Sequence, residues 1–303
     1  YFTMPKNNTS HILQLHGIVF IWGFTAVLGA LISLGALPLV WYRMGIAVFS
    51  VALFMAFKKK SFVQPWPVIR HMMATGVVIS LHWLLFFYAI KVSNVSITLA
   101  CLSTGAFFTA LLEPLIYRRK LLWYEVGLGV LVILGLLLIF GMDMTYAKGM
   151  VAGLGSALLA AIFSLNNGRL IQKTEASVIC FYEIGTGWLF LGAVLLFSGM
   201  MTPEVLALRG WDLPYLLILA TACTAYAFIE SIRLMKFLTP YTVMLTTNME
   251  PIYGILLAFF ILGDQEQMHA SFYVGALLIL IAVVADSVIK YRVKSKLKQQ
   301  STV

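Results

Sequence analysis

The sequence predicts an all-α integral membrane protein whose ten transmembrane helices form two inverted five-helix repeats. Three observations carry that reading: a lipid-like composition, ten apolar stretches of spanning length, and a weak likeness between the two halves. Of the 303 residues, 61% are apolar and only 11% charged, where an ordinary soluble domain carries roughly a quarter charged. A mean hydropathy of +0.94, with 21 Phe, 13 Tyr and 7 Trp, points to lipid as the solvent. The net charge of +9 does not mark a nucleic-acid binder, because the basic residues lie in short clusters between apolar runs. There they set topology and meet anionic headgroups.

The spans follow in order, each near 20 residues and bounded by charges, Pro, Gly or Asn. The first covers 13–34; its run from His16 to Leu34 is too long for a signal-peptide core and lacks a small-x-small cleavage site, so it stays as a span. The second, 36–57, stops at Lys58-Lys59-Lys60, and the third, 69–91, follows Pro65 and Pro67. The fourth, 95–116, lies between Asn94 and Arg118-Arg119-Lys120, and the fifth, 122–140, ends at Gly141. The sixth, 148–171, runs to Lys173, and the seventh, 176–199, opens after Glu175. The eighth, 211–235, stops at Lys236; the ninth, 240–262, lies between Pro240 and Gly263; the tenth, 268–290, ends at Lys290. Apolar residues do not alternate with polar ones over ten-residue segments, so barrel strands are excluded and the backbone closes its hydrogen bonds within helices.

Ten spans put both termini on one side. With the termini cytoplasmic, seventeen of the 21 Lys and Arg fall inside and only Lys91, Lys148 and Arg209 outside, with Arg43 within the second span. That asymmetry orients the chain in a cell (inner) membrane. The halves are 1–145 and 146–290, followed by a basic, frayed cytoplasmic tail, 291–303. Cys101, Cys180 and Cys223 are isolated in apolar runs, without CxxC or metal-ligand spacing, so neither a disulfide framework nor a metal site is expected.

The self-similarity is clearest where Val126-Gly127 and the apolar run after it match Val274-Gly275. Trp41-Tyr42-Arg43 also lies over Phe181-Tyr182-Glu183, and Phe87-Tyr88-Ala89-Ile90-Lys91 over Ile229-Glu230-Ser231-Ile232-Arg233. A repeat with an odd number of helices reverses direction on its second pass, which produces inverted halves.

Ile21-Trp22-Gly23-Phe24, the passage Phe87 to Ser96, and Met249-Glu250-Pro251-Ile252-Tyr253 followed by Leu262-Gly263-Asp264 resemble the drug/metabolite transporter superfamily, in its ten-helix branch with two EamA-type domains. The resemblance covers nearly the whole chain. It implies a transporter that exports amino acids or similar small metabolites, with a central cavity walled by both halves and with the fifth and tenth helices peripheral. Departures accompany it. Where the family often places Pro in helix 4 with an acid after it, this chain has Gly105 and Arg118-Arg119, while the second half keeps Pro251 and Asp264. Helix 1 lacks the carboxylate of the four-helix multidrug relatives, so their proton-coupled drug antiport does not carry over.

Ionisable groups at membrane depth are costly unless paired or hydrated, which makes each a functional candidate or a structural ion pair. Glu250 lies near the middle of its span, and Thr246, Thr247, Glu250, Tyr253 and Gly254 share one helical stripe. Pro251 deprives the Thr247 carbonyl of its helical donor, adding an acceptor beside that stripe. This kinked polar face is a candidate substrate site; the alternative is a Glu that glues helices together. Asn166, Asn167, Arg169, Glu183, Glu230 and Arg233 share a depth and are candidates for one gating or ion-pair network, with Asn167 also a candidate ligand contact. Glu230 and Arg233 are i, i+3 neighbours, which is a sufficient structural explanation for that pair. Arg43, which matches Glu183 in the repeat, either meets a substrate carboxylate or serves a gate. Trp22, His82, Tyr88 and Tyr226 are candidate cavity walls, or else core and lipid-facing side chains. Ser103 is a candidate weak donor, as is Thr104, unless each hydroxyl bonds its own helix.

No paired catalytic constellation occurs, and no GxxxxGK[ST], so neither an enzyme nor direct ATP drive is expected and no cofactor is implied. The expected function is a secondary transporter working by alternating access around the first, third, fourth, sixth, eighth and ninth helices. A passive channel or facilitator, or a drug/metabolite efflux carrier, are the alternatives. Expected partners are a small-molecule substrate, the lipid bilayer and a proton as candidate coupling ion, with no nucleic acid; monomer and homodimer are both admissible.

Overall fold

A computed structural model describes residues 8–117, 123–140, 144–238, 243, 246–247, 249–263 and 270–300. Its helices, labelled by span, are α1 (Asn8–Leu31), α2 (Ala36–Phe57), α3 (Trp66–Val92), α4 (Val95–Leu102 and Gly105–Tyr117) and α5 (Trp123–Phe140). The second half has α6 (Ala147–Leu170), α7 (Ala176–Phe197), α8 (Asp212–Leu234), α9 (Glu250–Leu262) and α10 (Ala270–Gln300). Seven of the described helices, α1–α4 and α6–α8, are long and apolar enough to cross a membrane, and no strand occurs among the described residues. The chain is a multi-pass, all-α membrane protein.

The packing follows the repeat. α2 lies on α7, and α5 on α10. α3 rests on α6 as α8 rests on α1, α4 packs on α6 as α9 packs on α1, and α3 meets α7 as α8 meets α2. Exchanging each helix for the one five places on leaves this pattern unchanged, as an internal twofold requires. Five helices per repeat make the halves inverted. Contacts at the two ends agree with that alternation. At the end where the chain begins, the near end, His11 stacks on Phe237 with ring centroids 4.6 Å apart, and Lys60 pairs with Glu175. At the far end, the α1–α2 connection meets the start of α8 through Ser33 and Asp212.

Small residues let the halves approach closely, since apolar burial alone gives no preference between lipid and another helix. A Cβ on Gly23 would stand 3.0 Å from the backbone nitrogen of Gly254, so α1 and α9 cross nearly backbone to backbone. A Cβ on Gly76 would meet the Glu183 carbonyl at 2.4 Å, and the same close approach joins α3 to α7.

Four elements differ from the sequence expectation. α4 is not continuous: Ser103 and Thr104 form a turn, and their hydroxyls donate to the carbonyls of Ala100 and Cys101, each at 2.6 Å. In the ninth span, residues 243, 246 and 247 are helical, Met249 is a turn residue whose N–H donates to the Thr246 carbonyl at 3.0 Å, and a new helix starts at Glu250 with Pro251 in its first turn. The expected kink is therefore a break, at the position where the repeat places the break in α4. α8 widens into a π segment at Thr221–Tyr226, where Thr224 Oγ1 donates to the Leu219 carbonyl at 2.7 Å. Such segments are frequent at functional sites. α10 continues to Gln300 instead of fraying at 291, because the tail contains no Gly or Pro to stop it. Asp264 and the start expected for the tenth span lie outside the described residues.

Candidate functional site

The two broken helices face one cavity. Its space, including the part open to solvent, is about 1030 Å³. The first half contributes Trp22 and Thr25 from α1, Arg43 from α2, His82, Trp83 and Phe86 from α3, and Ser103 with Gly105 from the α4 break. The second half contributes Phe163, Ser164 and Asn167 from α6, Cys223, Phe228 and Ser231 from α8, and Thr247, Glu250 and Pro251 from the ninth span. These are the six helices expected from the sequence, plus α2. The lining also includes Met235 and Val243, where α8 runs into the ninth span at the near end. α5 and α10 supply none of the lining residues and pack on each other, the peripheral placement expected of them.

Arg43 organises the site. It is 2% exposed, and its Nε donates to Thr224 Oγ1 in the π segment at 2.6 Å. The guanidinium lies over the Trp83 ring, 4.1 Å from the centroid, and 5.4 Å from that of Phe87. Its Nη1 has no hydrogen-bond partner among the described residues. Glu250, 8% exposed, borders the same cavity and is within reach of the Arg43 charge. Buried charges of opposite sign thus share one aromatic enclosure, where a low dielectric strengthens their attraction. The sequence expectation left Arg43 open between recognition and gating; its placement is in the cavity wall.

The other candidates divide. Glu250, Thr247, Trp22, His82, Ser103 and Asn167 line the cavity. The His82 ring bonds across to α6, with Nδ1 2.8 Å from the Ser156 carbonyl; a carbonyl only accepts, so Nδ1 carries the proton. Thr246 is buried off the cavity, and Tyr253 turns toward α1, where its hydroxyl is 3.2 Å from His16 Nδ1. Thr247 and Glu250 keep the expected face on either side of the Met249 turn, whereas Tyr253, three residues on in the same helix, lies about 60° round from Glu250 and takes the α1 side. Tyr88 and Tyr226 are corrections too: they are 42% and 57% exposed and absent from the lining.

The single network expected in the near half resolves into separate contacts. Asn167 Nδ2 donates to Glu183 Oε2 at 3.2 Å, while Arg233 pairs with Glu230 on its own helix at 2.5 Å. Asn166 Oδ1 is 3.1 Å from His71 Nε2, and Arg169 donates to the Ile116 carbonyl at the end of α4. Glu183 is wholly buried beneath the lining and does not pair with Arg43. Sequence reasoning missed Thr25, Trp83, Phe86, Phe163, Phe228 and Ser231. Aromatic and hydroxyl residues at such spacing are common throughout these apolar helices, so nothing local singles them out.

The far end is tied by polar contacts. Asp212, 2% exposed, accepts from Ser33 N at 2.7 Å, Ser33 Oγ at 2.6 Å and Arg209 N at 2.9 Å. Lys91, at the end of α3, donates to the Ile32 carbonyl beside it. Together these tie α1, α3 and α8. At the near end the ties are the exposed Lys60–Glu175 pair and a bond from the Tyr182 hydroxyl to the Phe62 carbonyl at 2.9 Å.

Comparison with known proteins agrees with this architecture. No curated protein matches the chain at a significant level. A solved crystal structure, described only as that of a protein, aligns with 94% of this chain and 99% of its own at a TM-score of 0.68 and 14% identity, a likeness of fold alone. The profile of the EamA-like transporter family matches twice, over residues 9–141 and 147–285, which together take in most of the chain. With inverted repeats enclosing a largely apolar cavity that holds a few polar groups, and with both repeats matching, the chain belongs to the EamA-like transporter family, multi-pass membrane transporters of small solutes.

Proposed function

We propose that the protein is a secondary carrier that exports amino acids or similar small metabolites across a cell (inner) membrane by alternating access. The observation that supports this reading is the presence of an unsatisfied Arg43 nitrogen and of Glu250 in one cavity walled by Trp22, Trp83 and Phe163. A guanidinium suits a carboxylate and a carboxylate suits an ammonium group, so a zwitterion satisfies both buried charges at once. The halves, 1–145 and 146–290, move against each other about this site. The far-end ties and the lining that reaches the near end favour the state open toward the chain termini. The positive-inside asymmetry puts those termini in the cytoplasm, so the state is the one that loads substrate for export.

The test is flux in proteoliposomes with labelled phenylalanine, threonine, lysine and glutamate. Saturable flux with counterflow of at least one zwitterion is expected. Ion conductance without saturation would replace the carrier with a channel.

A further inference from the structure

Glu183 has no role in the lining, yet its surroundings are unusual for an acid. It is 0% exposed on α7, packed against the α3 backbone at Gly76. Its one hydrogen bond is the 3.2 Å contact from Asn167 Nδ2, while Glu183 Oε1 and Asn167 Oδ1 are both buried without a partner. Two acceptors stand idle in one bonded pair. Among the described residues, the groups facing Glu183 include no unpaired cation. On its own helix the Cys180 thiol lies one turn before it. On α3 the near ionisable group is His71, which is occupied by Asn166. On α2 Arg43 is bonded to Thr224, and on α8 Arg233 is paired with Glu230. A carboxylate held there by one long bond to a neutral amide would be a nearly uncompensated buried charge, which proteins avoid by binding a proton.

We propose that Glu183 is a proton-binding site and that the Asn167 amide reports its occupancy to the cavity. When Glu183 is ionised, Asn167 Nδ2 donates to it. When Glu183 carries a proton, its O–H donates to Asn167 Oδ1 after the amide turns over, so the idle amide oxygen gains a donor and no uncompensated charge remains. Asn167 is buried but borders the cavity, so the turn reorients an amide just behind the wall that substrate meets. The proton comes from water in the cavity and returns to it. A role in coupling rests on the carrier reading above; the proton site does not.

The test is infrared difference spectroscopy of the purified protein across a pH step around neutrality. Wild type is expected to show a protonated-carboxyl C=O band that is absent in Glu183→Gln and retained in Glu250→Gln. In Asn167→Leu the band shifts to the frequency of a carboxyl without a hydrogen bond, and this variant leaves Glu183 in place should the Gln variant fold poorly. Bands unchanged in both Glu183→Gln and Asn167→Leu overturn the proposal. With labelled phenylalanine in liposomes, Glu183→Gln removes the response of flux to an imposed pH gradient while counterflow persists. A retained response rejects the coupling role, and the infrared result stands whether or not phenylalanine is carried.

Discussion

The two ends of the bundle are held by different chemistry. At the far end a buried carboxylate, Asp212, gathers three donors from Ser33 and Arg209, and Lys91 caps the end of α1 beside it. At the near end Lys60 and Glu175, 32% and 56% exposed, form a surface pair. Hydrogen bonds to a buried ion are among the stronger polar contacts, about 1.5–3 kcal/mol each, whereas exposed ion pairs give about 0–1 kcal/mol. The far end is thus centred on one buried ion, while the near end spreads its ties over this surface pair, the Tyr182–Phe62 and His71–Asn166 hydrogen bonds and the Arg169 contact to Ile116. A carrier that alternates must exchange these roles, and the inverted repeat supplies the means: Lys91 at the end of α3 corresponds to Arg233 at the end of α8, which is paired within its own helix in this state.

The largest effect belongs to the cavity between the ends. Arg43→Ala removes the counter-charge of Glu250, and flux in proteoliposomes is expected to fall on the order of 100-fold, the equivalent of one lost charged hydrogen bond. A rate within twofold of wild type would return Arg43 to packing. Next, Asp212→Ala should weaken the far-end lock by about 2–3 kcal/mol. That appears as a lower unfolding temperature and as new labelling of Cys223 by an impermeant maleimide added at the far face. All three cysteines are buried, but of them Cys223 alone is in the cavity lining, so the label reads that site. Labelling that stays confined to the near face would mean the seal lies elsewhere.

A smaller effect separates wall from exterior. Trp83→Ala removes the ring under the Arg43 guanidinium, a contact of about 1–2 kcal/mol when desolvated, and flux should drop roughly tenfold. Tyr226→Ala should leave initial rates unchanged, and an equal loss in both variants would contradict the assigned lining. Smallest of all, Lys60→Ala should change thermal stability by no more than about 0.5 kcal/mol, a difference erased at high salt.

Much of the architecture was legible in the chain itself. The run lengths, the basic clusters and the matched Val-Gly segments were sufficient for ten spans in two repeats, since a bilayer imposes length and internal hydrogen bonding on any segment that crosses it. Glu250 and Thr247 were identifiable as site candidates because polar groups are rare at that depth. Tyr88 and Tyr226 were misjudged for a related reason. In a soluble protein a helix marks its inner face by being polar on the other, but here lipid and protein interior are both apolar, so an aromatic carries no sign of the side it takes.

What the amino-acid order determined, then, is everything the solvent demands of one segment at a time: where each helix crosses, how the halves repeat, and which residues are too polar to face lipid. Tertiary structure decided which of those polar residues meet. It set Arg43 over Trp83 and left Glu183 with Asn167 instead of a cation. It also placed a turn at Met249 in the ninth span and set Tyr253 against His16 on α1. Those outcomes depend on close helix crossings such as Gly23 on Gly254 and Gly76 on Glu183. Crossings of this kind join residues far apart in the chain through backbone shape, for which no local pattern exists.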